Sequence, residues 1–387
     1  MRFSIIAAAS VAALVGFGGT LPVVVAAARN LGADGPEITS WVGALCLGIG
    51  VSSIVLSAWY RRPVVTAWSL AGAVLMAAMP TGTSMQQAVG AFLLSGLLTV
   101  LAGAVPWLGA LVARLPASIG AAMLAGLLLR FVTALFQAGM AEPLLVLPLV
   151  ALFLLVREVH AASAALAVIA AGFPLAAVTG HALPPPQFGL AVPHWTAPEF
   201  SPVSLLGLGL PLFLVTMATQ QIPGAAVLRA AGYEPPVRIA LVLTGVLTLL
   251  LAPFGGYSIN LSSLTAALCT SPDAHPDPAQ RWRTGPVYGA LYLVLALFGA
   301  GFATMLEGLP PGLIAAVVGT AMLGPMTNAL ATATAERRER FAAVTAFVVT
   351  ASGIGAFGVG AAFWGLLAGV LVLGVERYSA AWRTRSG

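Results

Sequence analysis

The sequence predicts an all-α polytopic membrane protein whose fourteen spans form two inverted seven-span repeats. Of the 387 residues, 59% are hydrophobic and 7% are charged, whereas a soluble domain carries about a quarter charged residues. Two stretches, residues 61–69 and 253–260, each place proline and β-prone or glycine residues ahead of an apolar helical run. The arginines, finally, fall almost entirely on one side of the predicted membrane.

Charges and Pro/Gly punctuation delimit the spans. The first repeat, residues 1–180, contains spans near 3–28, 37–58, 63–79, 84–105, 116–137, 142–156 and 160–180. The second repeat, residues 203–387, contains spans near 204–230, 237–252, 254–270, 285–304, 309–330, 339–357 and 359–376, followed by a short cytoplasmic tail. The polar, proline-rich segment 181–202 is predicted to be a periplasmic loop connecting the repeats.

The charge distribution supports this count and sets the orientation. The net charge of +5 comes from arginine alone, since the chain has no lysine. With both termini cytoplasmic, fifteen of seventeen arginines lie inside, and only Arg29 and Arg130 lie elsewhere. Adding or removing one span would destroy this asymmetry downstream, so the basic character reflects topology and not nucleic-acid binding.

The two halves also match in sequence. Residues 115–126 parallel residues 309–320, and Leu21-Pro22 in span one parallels Ile222-Pro223 in span eight. These matches occur in the same order as the paired irregular spans. Because each half has an odd number of spans, the second half inserts upside down, which gives an inverted repeat.

Spans three and ten are predicted to be extended in their first half and helical in their second. Non-helical backbone at membrane depth is tolerated only where protein or a water-filled cavity satisfies it. The N-termini of the two half-helices are expected to converge near the midplane, where their free N–H groups and positive dipoles can hold an anion without a charged side chain. Ser69 and Asn260 are suitable N-cap types, with Trp68 and Tyr257 beside them; the alternative is ordinary caps and packing aromatics.

Three further features are candidates for a site. Gln220 and Gln221 lie inside apolar span eight, where they contact either a substrate or neighbouring helices. In span one, Gly18, Gly19 and Thr20 are candidates for cavity lining, with close helix packing as the alternative. Arg130, placed in the outer third of span five, is a candidate for gating or anion steering, unless its side chain reaches the outer surface.

The sequence contains no motif for a nucleotide, a metal ion or a catalytic nucleophile, so neither a cofactor nor an enzymatic activity is predicted. Glu142 and Glu307 are expected at the outer ends of spans, exposed to solvent. Cys46 and Cys269 lie in apolar runs and give no disulfide framework.

Five segments resemble the bacterial benzoate–proton symporter family: residues 67–69, 219–224, 255–261, 269–278 and 281–282. That family is related to the nucleobase transporters, which implies spans one to four and eight to eleven as a core and the other spans as a gate. Nucleobase transporters typically carry glutamates in spans eight and ten that bond the base. Here Gln220 and Ile259 stand at those positions, which favours an aromatic carboxylate because a buried carboxylate would repel an anion.

The resemblance implies a bacterial inner-membrane transporter that imports benzoate or a similar aromatic acid with a proton. The carboxylate would lie near Ser69, Ser258 and Asn260, with the two glutamines bonding it. The ring would pack on Trp68, Tyr257 and Ile259. The alternatives are a nucleobase or inorganic-anion transporter of the same fold, or an anion channel. The proton carrier stays open between an outer acid, water and the substrate itself, and a homo-oligomer is compatible with the sequence.

Overall fold

The computed structural model describes residues 3–79, 82–107, 109, 116–160, 163–181, 190–298, 301, 309–356 and 359–386. Nearly all regular structure in these ranges is helical. In chain order the elements are α1 (Phe3–Gly18), α2 (Leu21–Asn30), α3 (Gly35–Tyr60), β1 (Thr66–Trp68), α4 (Leu70–Ala77), α5 (Met85–Ala104), α6 (Ala117–Ala141), α7 (Pro143–His160), α8 (Ala164–Val178), α9 (Pro202–Ala230), α10 (Val237–Leu251), β2 (Ile259–Leu261), α11 (Leu264–Thr270), α12 (Thr284–Phe298), α13 (Pro311–Ala335), α14 (Arg340–Ala351) and α15 (Ala361–Ser386).

Eight of the described helical segments are long and apolar enough to cross a membrane. They are α1 with α2, α3, α5, α6, α9, α10 with the turn that follows it, α13 and the first part of α15. The chain is therefore an all-helical polytopic membrane protein. The count of fourteen spans depends on shorter segments such as α4, α8 and α11, and it stays a prediction.

The first span is broken, which the sequence analysis did not predict. Helix α1 ends at Gly18 and α2 begins at Leu21, with Pro22 in its first turn. Proline has no N–H to donate to a preceding carbonyl, so it ends α1 and suits the start of α2. The hydroxyl of Thr20 donates to the carbonyl of Gly16 at 2.6 Å across the break.

Spans three and ten have the predicted half-extended, half-helical form. Strand β1 leads into the eight-residue helix α4, and β2 precedes the seven-residue helix α11. The two strands pair antiparallel, with Thr66 opposite Leu261 and Trp68 opposite Ile259. The extended halves of the two spans therefore satisfy part of each other's backbone.

Side chains from neighbouring helices also bond backbone groups of Thr66 in β1 and of Val64 just before it. The N–H of Thr66 donates to Ser53 Oγ at 3.0 Å, and the hydroxyl of Ser57 donates to the carbonyl of Val64 at 2.7 Å. The hydroxyl of Tyr288, on α12, donates to the carbonyl of Thr66 at 3.1 Å. All of these side chains are buried, so the protein itself provides what water would provide elsewhere.

Two side chains accept hydrogen bonds from backbone N–H groups of β2. The N–H of Ile259 donates to Thr248 Oγ1 at 3.0 Å, and the N–H of Leu261 donates to Gln221 Oε1 at 3.1 Å. Just before β2, Gly255 has φ +93°, and a Cβ there would lie 1.6 Å from Trp41 Cδ1. Only glycine fits this turn against the indole.

The helices pack as two groups. The core body comprises α1–α5, β1, β2 and α9–α12, whose buried side chains form one large cluster and two small ones. The flanking body comprises α6–α8 and α13–α15, which have two clusters of their own. Helices α6 and α13 lie between them, since Met123, Leu127 and Met322 pack in the core cluster.

Candidate functional site

The start of α4 is the best-defined feature of the broken spans. Pro63 and the β-branched residues 64–66 favour extended backbone, and the helix begins only after Ser69. Ser69 is the N-cap, because its Oγ accepts from the N–H of Gly72 at 3.0 Å. This confirms the cap predicted from the sequence.

Two N–H groups at this helix start have no acceptor within the described part of the chain. Among the described residues, no group accepts a hydrogen bond from the N–H of Leu70 or of Ala71. Ala71 and Ser69 are both essentially inaccessible. Unpaired N–H groups at a buried helix N-terminus make a ready-made site for an anion.

Three side chains from other elements converge on Ser69. Thr216, on α9, donates to Ser69 Oγ at 2.7 Å. Tyr257 donates its phenolic hydrogen to the Ser69 carbonyl at 2.9 Å. The amide of Asn260, oriented by its surroundings, accepts from the Ser69 N–H at 3.0 Å and donates to the carbonyl of Leu261 at 3.1 Å. All three side chains are buried, so this junction is held rigidly.

Asn260 is not an N-cap, contrary to the expectation from the sequence. It lies in β2 opposite Ala67, and helix α11 begins four residues later, at Leu264. Ser262 accepts from the N–H of Thr265 at 3.2 Å instead. The reason is that the antiparallel ladder continues through Asn260 and keeps the backbone extended.

The two half-helix starts lie at opposite ends of the ladder. Ser69 follows the end of β1, beside Ser258, whereas the N–H of Ser262 donates to the carbonyl of Val65 at the other end. Four residues of strand separate these ends, or about 14 Å. One carboxylate therefore contacts only one helix start, and α4 is the more enclosed because Leu264 on α11 is 58% exposed.

The side chain of Trp68 joins β1 to the break in span one. Its Nε1–H donates to Thr20 Oγ1 at 2.8 Å, and its ring lies 5.9 Å from that of Phe17 and 6.1 Å from that of Tyr292. Of the three residues predicted to line a cavity in span one, Thr20 thus reaches the broken-span region.

Gly18 and Gly19 face the flanking body. A Cβ on Gly18 would lie 3.2 Å from Leu166 Cδ2, and one on Gly19 would lie 4.0 Å from the Cβ of Ala165. Both neighbours belong to α8. This arrangement corresponds to the helix-packing alternative for these two glycines.

Helix α9 is widened at the two predicted glutamines. It contains π-helical turns at Leu205–Gly209 and Met217–Gln221, each followed two residues later by a proline, Pro211 and Pro223. Because proline cannot donate to the preceding turn, the backbone there shifts toward a wider turn. Such π-turns occur frequently at functional sites.

The two glutamines have different surroundings. Gln221 is buried; its oxygen accepts from the Leu261 N–H, and its Nε2 lies 3.3 Å from Thr244 Oγ1, to which it donates. Gln220 is half-buried, and its side chain has no hydrogen-bond partner among the described residues. In this conformation Gln221 holds β2 in place, whereas Gln220 has both ends of its amide free to bind a ligand.

Tyr257 and Ile259 form the apolar wall on the β2 side. The ring of Tyr257 lies 5.7 Å from that of Trp41 and 6.0 Å from that of Phe92. Ile259 is buried against Gly48, where an added Cβ would lie 1.9 Å from Ile259 Cδ1. Ser258, next to Ile259, is buried as well.

Arg130 lies near the middle of its helix and not in the outer third. It is the fourteenth residue of the 25-residue helix α6, because that helix continues to Ala141. Its side chain is exposed, and its Nη1 donates to the carbonyl of Ala78, just beyond α4, at 2.8 Å. The one charge predicted within a span therefore contacts the element that carries the unpaired N–H groups.

Glu142 is partly enclosed instead of fully solvated. Its Oε1 accepts from the N–H of Gly312 at 3.2 Å, and its Oε2 lies 3.3 Å from His181 Nε2. Glu307 and Arg114 lie outside the described residues. Within the described ranges no group of three or more potential metal ligands occurs.

Several residues of this region were not predicted from the sequence: Phe17, Trp41, Ser53, Phe92, Thr216, Thr248, Tyr288 and Tyr292. Most are small polar or aromatic residues inside apolar helices, where such residues also serve ordinary packing. Only the buried hydroxyl pair Ser52-Ser53 and the spacing of Tyr288 and Tyr292, four apart on one helix face, offered a signal.

Comparison with known proteins gives a consistent picture. The model of the family described as benzoate membrane transport protein matches residues 1–375. The chain is 40% identical over 359 residues to inner membrane protein YdcO of Escherichia coli (strain K12), which covers 92% of each chain. It is 32% identical over 361 residues to the benzoate membrane transport protein of Acinetobacter baylyi, which covers 93% of this chain and 92% of that one.

Two solved structures share the fold. The transmembrane domain of the cyanobacterial bicarbonate transporter BicA matches with a TM-score of 0.63 at 14% identity, covering 96% of this chain and 98% of that one. SLC26A9 matches with a TM-score of 0.62 at 13% identity, covering 96% of this chain and 65% of that one. At these identities the likeness shows the fold alone.

The different surroundings of the two glutamines generate a stability prediction. Replacing Gln221 by Leu leaves the buried N–H of Leu261 without an acceptor, so we expect a loss of about 1–3 kcal/mol in the free energy of unfolding. Gln220→Leu removes no hydrogen bond within the described residues, so it should change the free energy of unfolding by less than about 0.5 kcal/mol. Thermal or denaturant unfolding of the purified variants in detergent measures both. Equal losses in the two variants would contradict the assignment.

Proposed function

This chain belongs to the benzoate membrane transport protein family, and on that premise we propose that it is a secondary active transporter importing benzoate or a similar aromatic carboxylate with a proton. Its family is one of membrane transporters, not of enzymes. The inner-membrane relative supports a bacterial inner-membrane location.

The observation that carries the proposal is the pair of unpaired N–H groups on Leu70 and Ala71. They lie at the positive end of α4, in a region where α1, α2, β1, α4, α9 and β2 contribute no Asp or Glu. A carboxylate bound there would accept both hydrogen bonds and interact favourably with the helix dipole. No fixed cation at the binding position is required.

We assign the contacts of the carboxylate to the residues around that helix start. Ser69, Ser258 and Asn260 surround it, and Gln220 donates its free amide to the bound anion. Gln221 supports this arrangement through its bond to β2, and a direct contact would require it to release Leu261 or Thr244.

The aromatic ring of the substrate is assigned to the apolar surfaces beside the same junction. Trp68, Tyr257 and Ile259 offer flat or branched apolar side chains to it. Thr20 holds the indole of Trp68, while Gly18 and Gly19 allow the close packing of α1 on α8.

Transport then proceeds by alternating access. The flanking body acts as the gate, and the core body carries the substrate past it. We propose fourteen spans in two inverted sevens, with both termini cytoplasmic and segment 181–202 on the periplasmic side. Residues 1–180 and 203–387 form the two repeats in this arrangement.

Proton coupling has three candidate carriers in this proposal. The first is an outer acid, either Glu142 beside His181 or Glu307. The second is water in the transport pathway, and the third is the substrate, which crosses as the neutral acid. Uptake by Glu142→Gln is compared with uptake by the parent. A loss of proton-driven uptake in this variant would identify Glu142 as the carrier, and unchanged uptake would exclude it.

Uptake into proteoliposomes tests the substrate and the driving force. Purified protein in proteoliposomes should accumulate radiolabelled benzoate when an inward proton gradient is imposed, and a protonophore should abolish the accumulation. Uptake that is indifferent to the gradient would contradict symport. Stronger competition by uracil, xanthine or sulfate than by benzoate would favour a nucleobase or inorganic-anion transporter. Single-channel currents would favour an anion channel.

Substitutions at Gln220 and Asn260 test the assigned contacts of the carboxylate. Gln220→Ala and Asn260→Ala should each lower the uptake rate at subsaturating benzoate about tenfold or more, which corresponds to at least about 1.4 kcal/mol of lost interaction. Gln137→Ala is the matched control, because Gln137 is an exposed glutamine on α6. Membrane abundance and thermal unfolding of each variant are measured in parallel. Full uptake by both variants at equal abundance would mean that the pocket lies elsewhere.

A further inference from the structure

Both half-helices end at a charged side chain that binds their last carbonyls. Beyond α4, Arg130 donates to the carbonyl of Ala78 at 2.8 Å. At the end of α11, Arg281 Nη1 donates to the carbonyl of Thr270 at 2.9 Å. A cation at the C-terminus of a helix interacts favourably with its negative end.

The two arginines differ in where they come from. Arg281 lies eleven residues beyond Thr270 and is 8% exposed. Its Nε also donates to the carbonyl of His275 at 2.7 Å. This cap stays within the core body. Arg130 belongs to α6, which is part of the flanking body, so its bond to Ala78 crosses between the two bodies.

The bond to Ala78 is the only hydrogen bond that the guanidinium of Arg130 makes with the described residues. No acidic side chain lies within salt-bridge distance of it in the described part of the chain. An exposed guanidinium near the middle of a membrane-length helix is costly unless it has such a partner or water. The carbonyl of Ala78 therefore gives α6 a specific attachment to the core body.

The same end of α4 has a second, neutral cap. The amide nitrogen of Asn30 donates to the carbonyls of Met76 and Met79 at 2.9 and 3.0 Å. Asn30 ends α2, which belongs to the core body and packs on α4. When the two bodies move, Asn30 moves with α4 and Arg130 does not.

We propose that Arg130 is a positioning residue that couples the flanking body to the substrate site through α4. This inference rests on the proposed function, because it assumes that the anion binds at the start of α4. Helix α4 has eight residues and spans about 12 Å. In the conformation described here, Arg130 fixes its far end and adds positive potential along its axis. When the bodies separate, the bond breaks and both effects are lost together.

The proposal predicts a change in conformation that does not depend on the substrate. Met79 is buried beside the Arg130–Ala78 contact, so a cysteine at this position reports whether the contact is open. In purified protein without substrate, a water-soluble maleimide should label Met79→Cys several-fold faster in the Arg130→Gln background than with Arg130 present. The chain without Met79→Cys is the blank, because Cys46 and Cys269 are both inaccessible.

Two variants separate this role from a general structural one. Arg130→Lys keeps a cation that can donate to Ala78 and should label at close to the parent rate. Arg281→Gln removes the cap of α11 within the core body and does not touch Met79, so it should lower thermal stability without accelerating labelling. Equal labelling of Arg130→Gln and the parent, or equal acceleration by Arg281→Gln, would overturn the proposal.

Transport kinetics give the second readout. Arg130→Gln should raise the KM for benzoate about fivefold to tenfold with a smaller change in maximal rate. Arg130→Lys should have a KM close to that of the parent. A loss of abundance with an unchanged KM would mean a structural role alone. If the parent takes up no benzoate, the proposed function fails, while the labelling experiment still decides the coupling between the two bodies.

Discussion

Extended backbone at membrane depth must find its hydrogen bonds within the protein, and this requirement organises the centre of the molecule. Two three-residue strands pair with each other, and hydroxyl or amide side chains on α3, α9, α10 and α12 bond backbone groups of Thr66, Ile259 and Leu261. Each of these side chains would be expensive in an apolar core without its partner. The buried polar residues of the long helices are explained by the strands they serve.

Because backbone groups at membrane depth must be hydrogen-bonded within the protein, N–H groups without an acceptor point to a binding site. The N–H groups of Leu70 and Ala71 have no acceptor within the described residues, so they are unused binding capacity at a helix start. A protein that held its anion with a buried arginine would bear the desolvation cost of that charge in every empty state. Backbone dipoles provide positive potential without that cost, which suits a site that must release its substrate.

The sequence predicted the broken spans because proline, glycine and β-branched residues have strong local effects on backbone conformation. It also predicted the N-cap at Ser69 and placed Gln220 and Gln221 inside span eight, but it did not predict the π-helical turn that holds them. It could not predict that β2 continues through Asn260, since strand length depends on the partner strand and not on local preference. It also could not show which glutamine is bonded, because Leu261 and Thr244 are distant in sequence.

Other failures have the same origin. The break in span one depends on Pro22, which the sequence analysis noted only as part of an internal repeat. The place of Arg130 was wrong because α6 continues beyond its predicted end, and its contact with Ala78 joins two bodies whose packing no local pattern encodes. Trp41 fills the space over Gly255, a relation that becomes visible only when α3 and the turn before β2 are brought together.

The central claim is that a carboxylate binds at the start of α4 without a fixed cation. An experimental structure with bound 4-bromobenzoate tests it most directly, with anomalous scattering locating the bromine. The account predicts carboxylate oxygens about 2.7–3.2 Å from the backbone nitrogens of Leu70 and Ala71, with the ring against Trp68 and Tyr257. A ligand bound at Arg130 or at another charged side chain, with the start of α4 empty, would contradict it.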